Sequence, residues 1–447
     1  MNKILIIPKQ IISADNYDTI YTGEALEITG EKITDIRKFS DDEIRRFKGE
    51  VVRSENLTLT PGFIQTHIHL CQTLFRGLAE DLSLIDWLQK KIFPFENAHN
   101  ENSLKMSIRL GINELLKGGT TTILDMGTLH HQEVIFRELI SSGLRAVAGK
   151  CMMDINTLFP EFKESTEEEL KNSYDLAKEF HQKENGRIKY GFAPRFVLSC
   201  SDRLLTETLE MMQDFDGSLF HTHSSENIYE LNLVREKYKM GNIEYYHHLN
   251  LTDDHSVFAH CVYVNENEIN ILKNSDTRVA HCPSSNLKLG SGIADIPRFL
   301  KEGISVSIGA DGAPCNNTLN IFNEMRLAAL IQKPRYSADV MDAKTVFRMA
   351  TIEGARALHL DETGSIEKGK KADIILFDFE DAAASLLSKG EDVYSIIVYS
   401  AGPQNIHSVM VSGEWKIKDE ENLVYDEKEL ICEGRKELKQ LLKRVKH

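Results

Sequence analysis

Eight short apolar runs separated by helix-length amphipathic stretches constrain this chain more than any other feature of its sequence. In order they read PGFIQTHIHL, TTTILDM, LRAVAGKCMM, RIKYGFAPRF, GSLFHTHSS, SVFAHC, TRVAHCP and ISVSIGADG. Nearly continuous apolar segments of strand length point to strands buried on both faces, as in a parallel sheet covered by helices. Stretches such as SLKMSIRLGINELLKGG, TEEELKNSYDLAKEF and IPRFLKEG lie between them, several closing on Gly as helices tend to. Eight strand–helix alternations predict an α/β fold, a closed (β/α)8 TIM-like barrel spanning residues 59–360. A doubly wound open sheet is the rival, but no G-x-G-x-x-G follows the first run, so a dinucleotide-binding version lacks its phosphate loop.

The chain ends have another texture. Residues 1–58 carry the alternating segments KILIIPKQII, EALEITGEKITDIRK and EVVRSENLTLTPG, and residues 361–447 carry GKKADIILFDFE, SIIVYSA and IHSVMVSGEWKIKD. Short strands need partners and termini usually lie close together, so both ends are expected to build one small β-sandwich domain beside the barrel. The last stretch places Leu438, Leu441, Leu442 and Val445 at helical spacing, which predicts a packed terminal helix.

Lys and Arg total 53 against 68 Asp and Glu, a net charge of −15. Such a surface repels phosphate polymers and anionic lipid, which disfavours nucleic acid and membranes and leaves a small molecule as the expected partner. Self-association into a homo-oligomer stays open. The seven cysteines are odd in number, far apart and free of any C-x-x-C pair, which fits a reducing cytoplasm better than a disulfide framework or thiolate zinc site. The opening MNKILIIPKQIISADN reads as neither leader nor anchor.

Chemistry-bearing residues gather at the carboxyl ends of the runs. His67 and His69 stand two apart in the first, so the strand period turns both imidazoles to one face. His221 and His223 repeat this in the fifth, while His260, His281 and Asp311 end the sixth, seventh and eighth. An isolated H-x-H or a strand-end Asp says little. Together, buried imidazoles and a carboxylate are costly unless a metal or partner satisfies them, so a metal site outweighs a cluster of structural histidines. Glu226, three residues after His223, stands where a carboxylate can move a proton between a catalytic water and substrate. His99, His181, His359, His407 and His447 are expected at the surface, and His130, His131, His247 and His248 in loops or caps.

The long connection CQTLFRGLAEDLSLIDWLQKKIFPFEN, placed after the first strand, lies where a barrel builds its catalytic rim. Together PGFIQTHIHL, HTHSSEN, AHC, HCPSSNLKLGSGIA and GADGAPCNNTLNIFNEMRLAALIQK resemble the amidohydrolase superfamily, in the branch of the 5′-methylthioadenosine/S-adenosylhomocysteine and 5′-deoxyadenosine deaminases. The resemblance covers nearly the whole chain. It implies one divalent metal, zinc with iron(II) as the alternative, held by His67, His69, His223 and Asp311. His260 would orient the catalytic water. Binuclear relatives carry a bridging lysine at the end of strand four, where YGFAPRF has none; Lys150 ends strand three instead.

The same resemblance implies hydrolytic deamination at C6 of a 5′-modified adenosine. Glu226 would protonate the ring nitrogen, and Asp311 would pass the water proton to departing ammonia. Glu96 would accept the ribose hydroxyls and Trp87 would cover the purine or its 5′ substituent. Gln72, Arg195 and Phe196 form a set that guanine deaminases use on their base, so a guanine deaminase or a triazine-type amino- or chlorohydrolase is the enzymatic alternative. A non-catalytic binding protein on the same fold is the remote one, since a fold alone does not fix function.

Overall fold

The computed structural model describes residues 2–380 and 392–445; His447 lies outside them. Each apolar run contains a strand: Phe63–His69, Thr120–Asp125, Arg145–Ala148, Ile188–Pro194, Leu219–Ser224, Ser256–His260, Arg278–His281 and Val306–Ile308. With the short pieces Cys151–Met152 and Asp311–Gly312 they form a ten-stranded sheet, parallel throughout.

The eighth run is split. Val306–Ile308 pairs with the seventh strand and Asp311–Gly312 pairs with the first, so one segment joins both sheet edges and closes the (β/α)8 barrel. At the split lies Gly309, where a Cβ would fall 2.6 Å from the His67 carbonyl oxygen. Glycine lets the eighth segment pass this close to the first strand.

The interior of the barrel is graded. Ile64, Leu124, Val147, Leu219, Val257, Ala355 and Leu358 pack together as one buried cluster at the amino-terminal end. Along the fifth strand Leu219, His221 and His223 share the inward face, so the period of two carries it from that apolar plug to imidazoles at the mouth.

Both chain ends build the second unit, a nine-stranded mixed sheet. Lys3–Ile12 runs parallel to Glu50–Pro61, which pairs antiparallel with Ile374–Phe377. Alternation explains how this sheet serves two cores. Ile374 and Leu376 join Ile4, Ile6, Leu26 and Leu59 in its own apolar centre, whereas Ile375 and Phe377 point into the barrel's core beside Phe63. The strand Glu50–Pro61 runs through the division expected between residues 58 and 59, because its far end still pairs within this sheet.

The terminal helix Glu427–Arg444 buries Leu430 and Leu441 against Leu74, Phe75 and Phe95, with Leu438 and Val445 partly buried there and Leu442 turned to solvent. Arg444 Nε donates to the Ala98 carbonyl at 2.9 Å. The helix thus braces the connection after the first strand, which is itself folded into the helical segments Leu84–Trp87, Leu88–Ile92 and Phe93–Asn97. His99, expected at the surface, is instead buried in this brace. Its Nε2 donates to the Cys71 carbonyl at 2.8 Å, and burial pushes its pKa down to about 4. No described helix is long and apolar enough to cross a membrane.

Candidate active site

His67 and His69 from the first strand, His223 from the fifth and Asp311 from the split eighth meet at the mouth of the barrel. Each offers a ligand atom within 4.8 Å of the others. His69 Nε2 lies 3.2 Å from His223 Nε2, and Asp311 Oδ1 lies 3.4 and 3.3 Å from Nε2 of His67 and His69. Burial pushes all three imidazoles toward the neutral form, whose lone pair can ligate. His67 Nε2 is buried with no hydrogen-bond partner. Three imidazoles and a carboxylate, one of them with an unsatisfied buried nitrogen, are a donor set that fits a divalent metal.

The surrounding groups fix how these side chains point. His223 Nδ1 donates to the Arg195 carbonyl at 2.6 Å, leaving Nε2 for the cluster. Asp311 Oδ2 accepts from Ser285 Oγ at 2.6 Å and Oδ1 from the Gly312 amide at 2.7 Å. His260 Nδ1 lies 2.8 Å from Asn286 Oδ1, which can only accept, so the free Nε2 lone pair faces Glu226 Oε2 at 3.6 Å and Asp311 Oδ2 at 3.9 Å. His260 and Asp311 have φ of 74° and 62°, a left-handed backbone unusual outside glycine and concentrated at functional sites.

Glu226 is 4% exposed, and its Oε1 has no partner. Burial first, and then the charge of Asp311, raise its pKa well above the ordinary carboxyl value. A carboxyl whose pKa is raised in this way is a better match for proton donation near neutral pH than an ordinary one. Its backbone amide donates to Glu230 Oε2 at 3.2 Å, and burial followed by the Glu226 charge pushes Glu230 up to about 7.

Beside this cluster opens a cavity. Leu84, Trp87 and Leu88 of the long connection, with Phe196 and Leu289, supply apolar walls; Gln72, Arg195, Glu226 and Glu230 supply polar ones, beside His69, His223 and Asp311. The expected substrate-contacting residues Gln72, Trp87, Arg195, Phe196 and Glu226 therefore share one space. Glu96 does not line it. Arg195 Nη1 and Nη2 donate to Glu96 Oε2 and Oε1 at 2.7 and 3.2 Å, and Gln72 Nε2 donates to Oε1 at 2.8 Å. A buried carboxylate next to a guanidinium is drawn into such a bidentate pair, so Glu96 stands behind the cavity wall and holds two of its polar members, Gln72 and Arg195.

Lys150 turns away from the cluster of His67, His69, His223 and Asp311. Its Nζ lies 2.6 Å from Glu169 Oε2 and 3.3 Å from Glu164 Oε2, which is where an ammonium at the end of the third strand finds charge compensation. His281 is buried with neither ring nitrogen partnered, and burial pushes its pKa down to about 3.

Reading the sequence alone missed Ser285, Asn286 and Glu230. The first two belong to HCPSSNLKLGSGIA, directly after a strand end, and Glu230 follows Glu226 by one helical turn. Position after a barrel strand was the available signal.

Residues 58–416 match the model of the amidohydrolase family. A 5-methylthioadenosine/S-adenosylhomocysteine deaminase of Caldicellulosiruptor saccharolyticus is 34% identical over 434 residues, covering 96% of each chain. A 5′-deoxyadenosine deaminase of Methanocaldococcus jannaschii is 35% identical over 418 residues, 93% of this chain and 96% of its own. Among solved structures, an adenosine deaminase from Xanthomonas campestris with bound zinc superposes with a TM-score of 0.92 at 27% identity, covering 99% of both chains.

Proposed function

The chain belongs to the amidohydrolase family, and from that premise we propose that it is a hydrolytic deaminase converting a 5′-modified adenosine to the inosine-type nucleoside and ammonia. The 5′-deoxyadenosine skeleton is the first-choice substrate, with 5′-methylthioadenosine and S-adenosylhomocysteine as the other members of the class. One observation carries the reading: Glu226, His260 and Asp311 face one another at the end of the cavity where His67, His69 and His223 converge.

His67, His69, His223 and Asp311 would hold one divalent metal, with zinc suited to a donor set of three imidazoles and a carboxylate and iron(II) as the alternative. Bound there, a metal would lower the pKa of water to about 7 and so would supply a nucleophile at neutral pH.

The protein groups divide the proton work. His260, with Nδ1 committed to Asn286, presents a lone pair to the attacking water and orients it. Asp311 accepts the water proton and returns it to the amine as it departs. Glu226 delivers a proton to the ring nitrogen beside the carbon under attack, which removes aromatic resistance to addition.

Substrate contact falls to the cavity wall. Trp87 and Phe196 offer aromatic faces to the purine. The amide of Gln72 is oriented by Glu96 so that Oε1, buried and without a partner, is left as an acceptor for a substrate hydroxyl or amine. Arg195 supplies donors from the same unit. Glu96 acts on the ribose through these two groups, which carry the direct contacts. All seven cysteines are unpaired, in keeping with the cytoplasm as the working compartment.

Incubation of the purified protein with 5′-deoxyadenosine, 5′-methylthioadenosine, S-adenosylhomocysteine, adenosine and guanine, followed by ammonia release and ultraviolet spectra, tests this. Turnover of the 5′-modified adenosines is expected. Faster turnover of guanine than of any of them would overturn the assignment.

A further inference from the structure

His221 has no part in the chemistry above, yet it sits one strand repeat below His223 on the same inward face of the barrel. It is fully buried, and its Nε2 lies 2.9 Å from Nδ1 of His67 with the two rings nearly perpendicular. We propose that His221 is a positioning residue for the metal centre: its Nε2 accepts the Nδ1 proton of His67 and so turns the Nε2 lone pair of His67 onto the ligand cluster. This rests on the metal reading of that cluster.

The argument is one of proton counting. A neutral imidazole carries one proton on two nitrogens, so two imidazoles can share a hydrogen bond only if one brings its proton to it and the other does not. If His221 donated, His67 would carry its proton on Nε2, the atom that faces Asp311 Oδ1 at 3.4 Å, and could not ligate. If His67 donates, its Nε2 is a lone pair and the proton of His221 resides on Nδ1. The second arrangement is the one a metal selects.

His223 shows the same logic with less freedom. His223 Nδ1 faces the Arg195 carbonyl, which can only accept. In His221 the acceptor is itself a two-state group, and it comes with a cost: its Nδ1 is buried with no partner. A purely structural side chain at this position would be better apolar, since an unsatisfied buried polar atom weakens a fold. The cost is understandable if the other ring nitrogen sets the tautomer of a ligand, a task for which outer partners of metal-bound histidines commonly serve.

The test compares zinc affinity, by competition with a chromophoric chelator, for the unaltered protein and for His221→Leu, His221→Gln and His221→Asn, together with thermal unfolding of each metal-free form. Loss of the acceptor in His221→Leu should weaken zinc binding about 10–100-fold, with metal-free stability unchanged or raised. His221→Gln, whose Oε1 can reach and accept, should keep most of the affinity. If His221→Leu fails to fold, His221→Asn, too short to reach His67, replaces it with the same expected loss. Zinc binding by His221→Leu or His221→Asn as tight as in the unaltered protein overturns the proposal, and so does an equal loss in His221→Gln. Absence of zinc binding by the unaltered protein would overturn the metal reading and this inference with it.

Discussion

Arg195 grips Glu96 through both terminal nitrogens, at 2.7 and 3.2 Å, with both side chains buried. The pair couples the end of the fourth strand to the helical connection that roofs the cavity. It also holds the guanidinium over the Phe93 ring at 5.0 Å. The polar wall of the cavity and the packing of its roof therefore share one ion pair.

Removing one partner leaves a buried charge uncompensated, which typically costs about 3–5 kcal/mol. Arg195→Met should lower unfolding stability by about that much in urea titrations, and Arg195→Met with Glu96→Gln should recover part of the loss. Equal stability of the single and double variants would refute the coupling.

Glu226→Gln keeps the shape of the side chain but removes the proton to be donated. A fall in kcat of about 10²–10⁴-fold is expected, the usual worth of a positioned general acid, with KM and metal content near those of the unaltered protein. A kcat within a few-fold of normal would remove Glu226 from the mechanism.

Gly312 packs so close to the substrate wall that an added Cβ would lie 2.0 Å from Gln72 Oε1. Its φ of −85° is open to any residue, so Gly312→Ala acts through this contact alone. The displaced amide should raise KM more than it lowers kcat, with overpacking costing about 1–3 kcal/mol. Unchanged KM across the substrate series would show that Gln72 is not a contact.

His99 supplies a pH dependence with a defined sign. Its folded pKa of about 4 lies below the ordinary value of 6.5. The unfolded chain binds its proton first, so the stabilising contribution is full above pH 6.5 and is lost as pH falls toward 4. His99→Gln, which can still donate to the Cys71 carbonyl, should flatten the fall in stability between pH 6 and 5 by about 1.4 kcal/mol per pH unit. Parallel stability curves for the two proteins would contradict this.

Chelation should abolish deamination, and added zinc or iron(II) should restore it. Because the metal binds only the folded state, the loaded protein should also melt higher by an amount set by free metal over Kd. Full activity in a chelated, metal-free preparation would be fatal to the metal centre.

The barrel was legible because buried parallel strands write themselves as apolar runs, and each of the eight runs holds a strand. The candidate ligands His67, His69, His223 and Asp311 could be read for a related reason: strand ends converge once the sheet closes, whatever lies between them in the chain. Leu442 and His99 were misread because helical spacing and a polar neighbourhood do not reveal which elements pack on a segment from far along the chain.

Local sequence determined the elements, the inward face of each strand and the residue types available at the mouth, since these depend on alternation and on near neighbours. Only the tertiary structure decided which polar groups meet: Glu96 with Arg195, His260 with Asn286, His67 with His221. Hydrogen bonds and charge pairs act over a few ångströms, and separations of 99, 26 and 154 residues become such distances only when the barrel has closed.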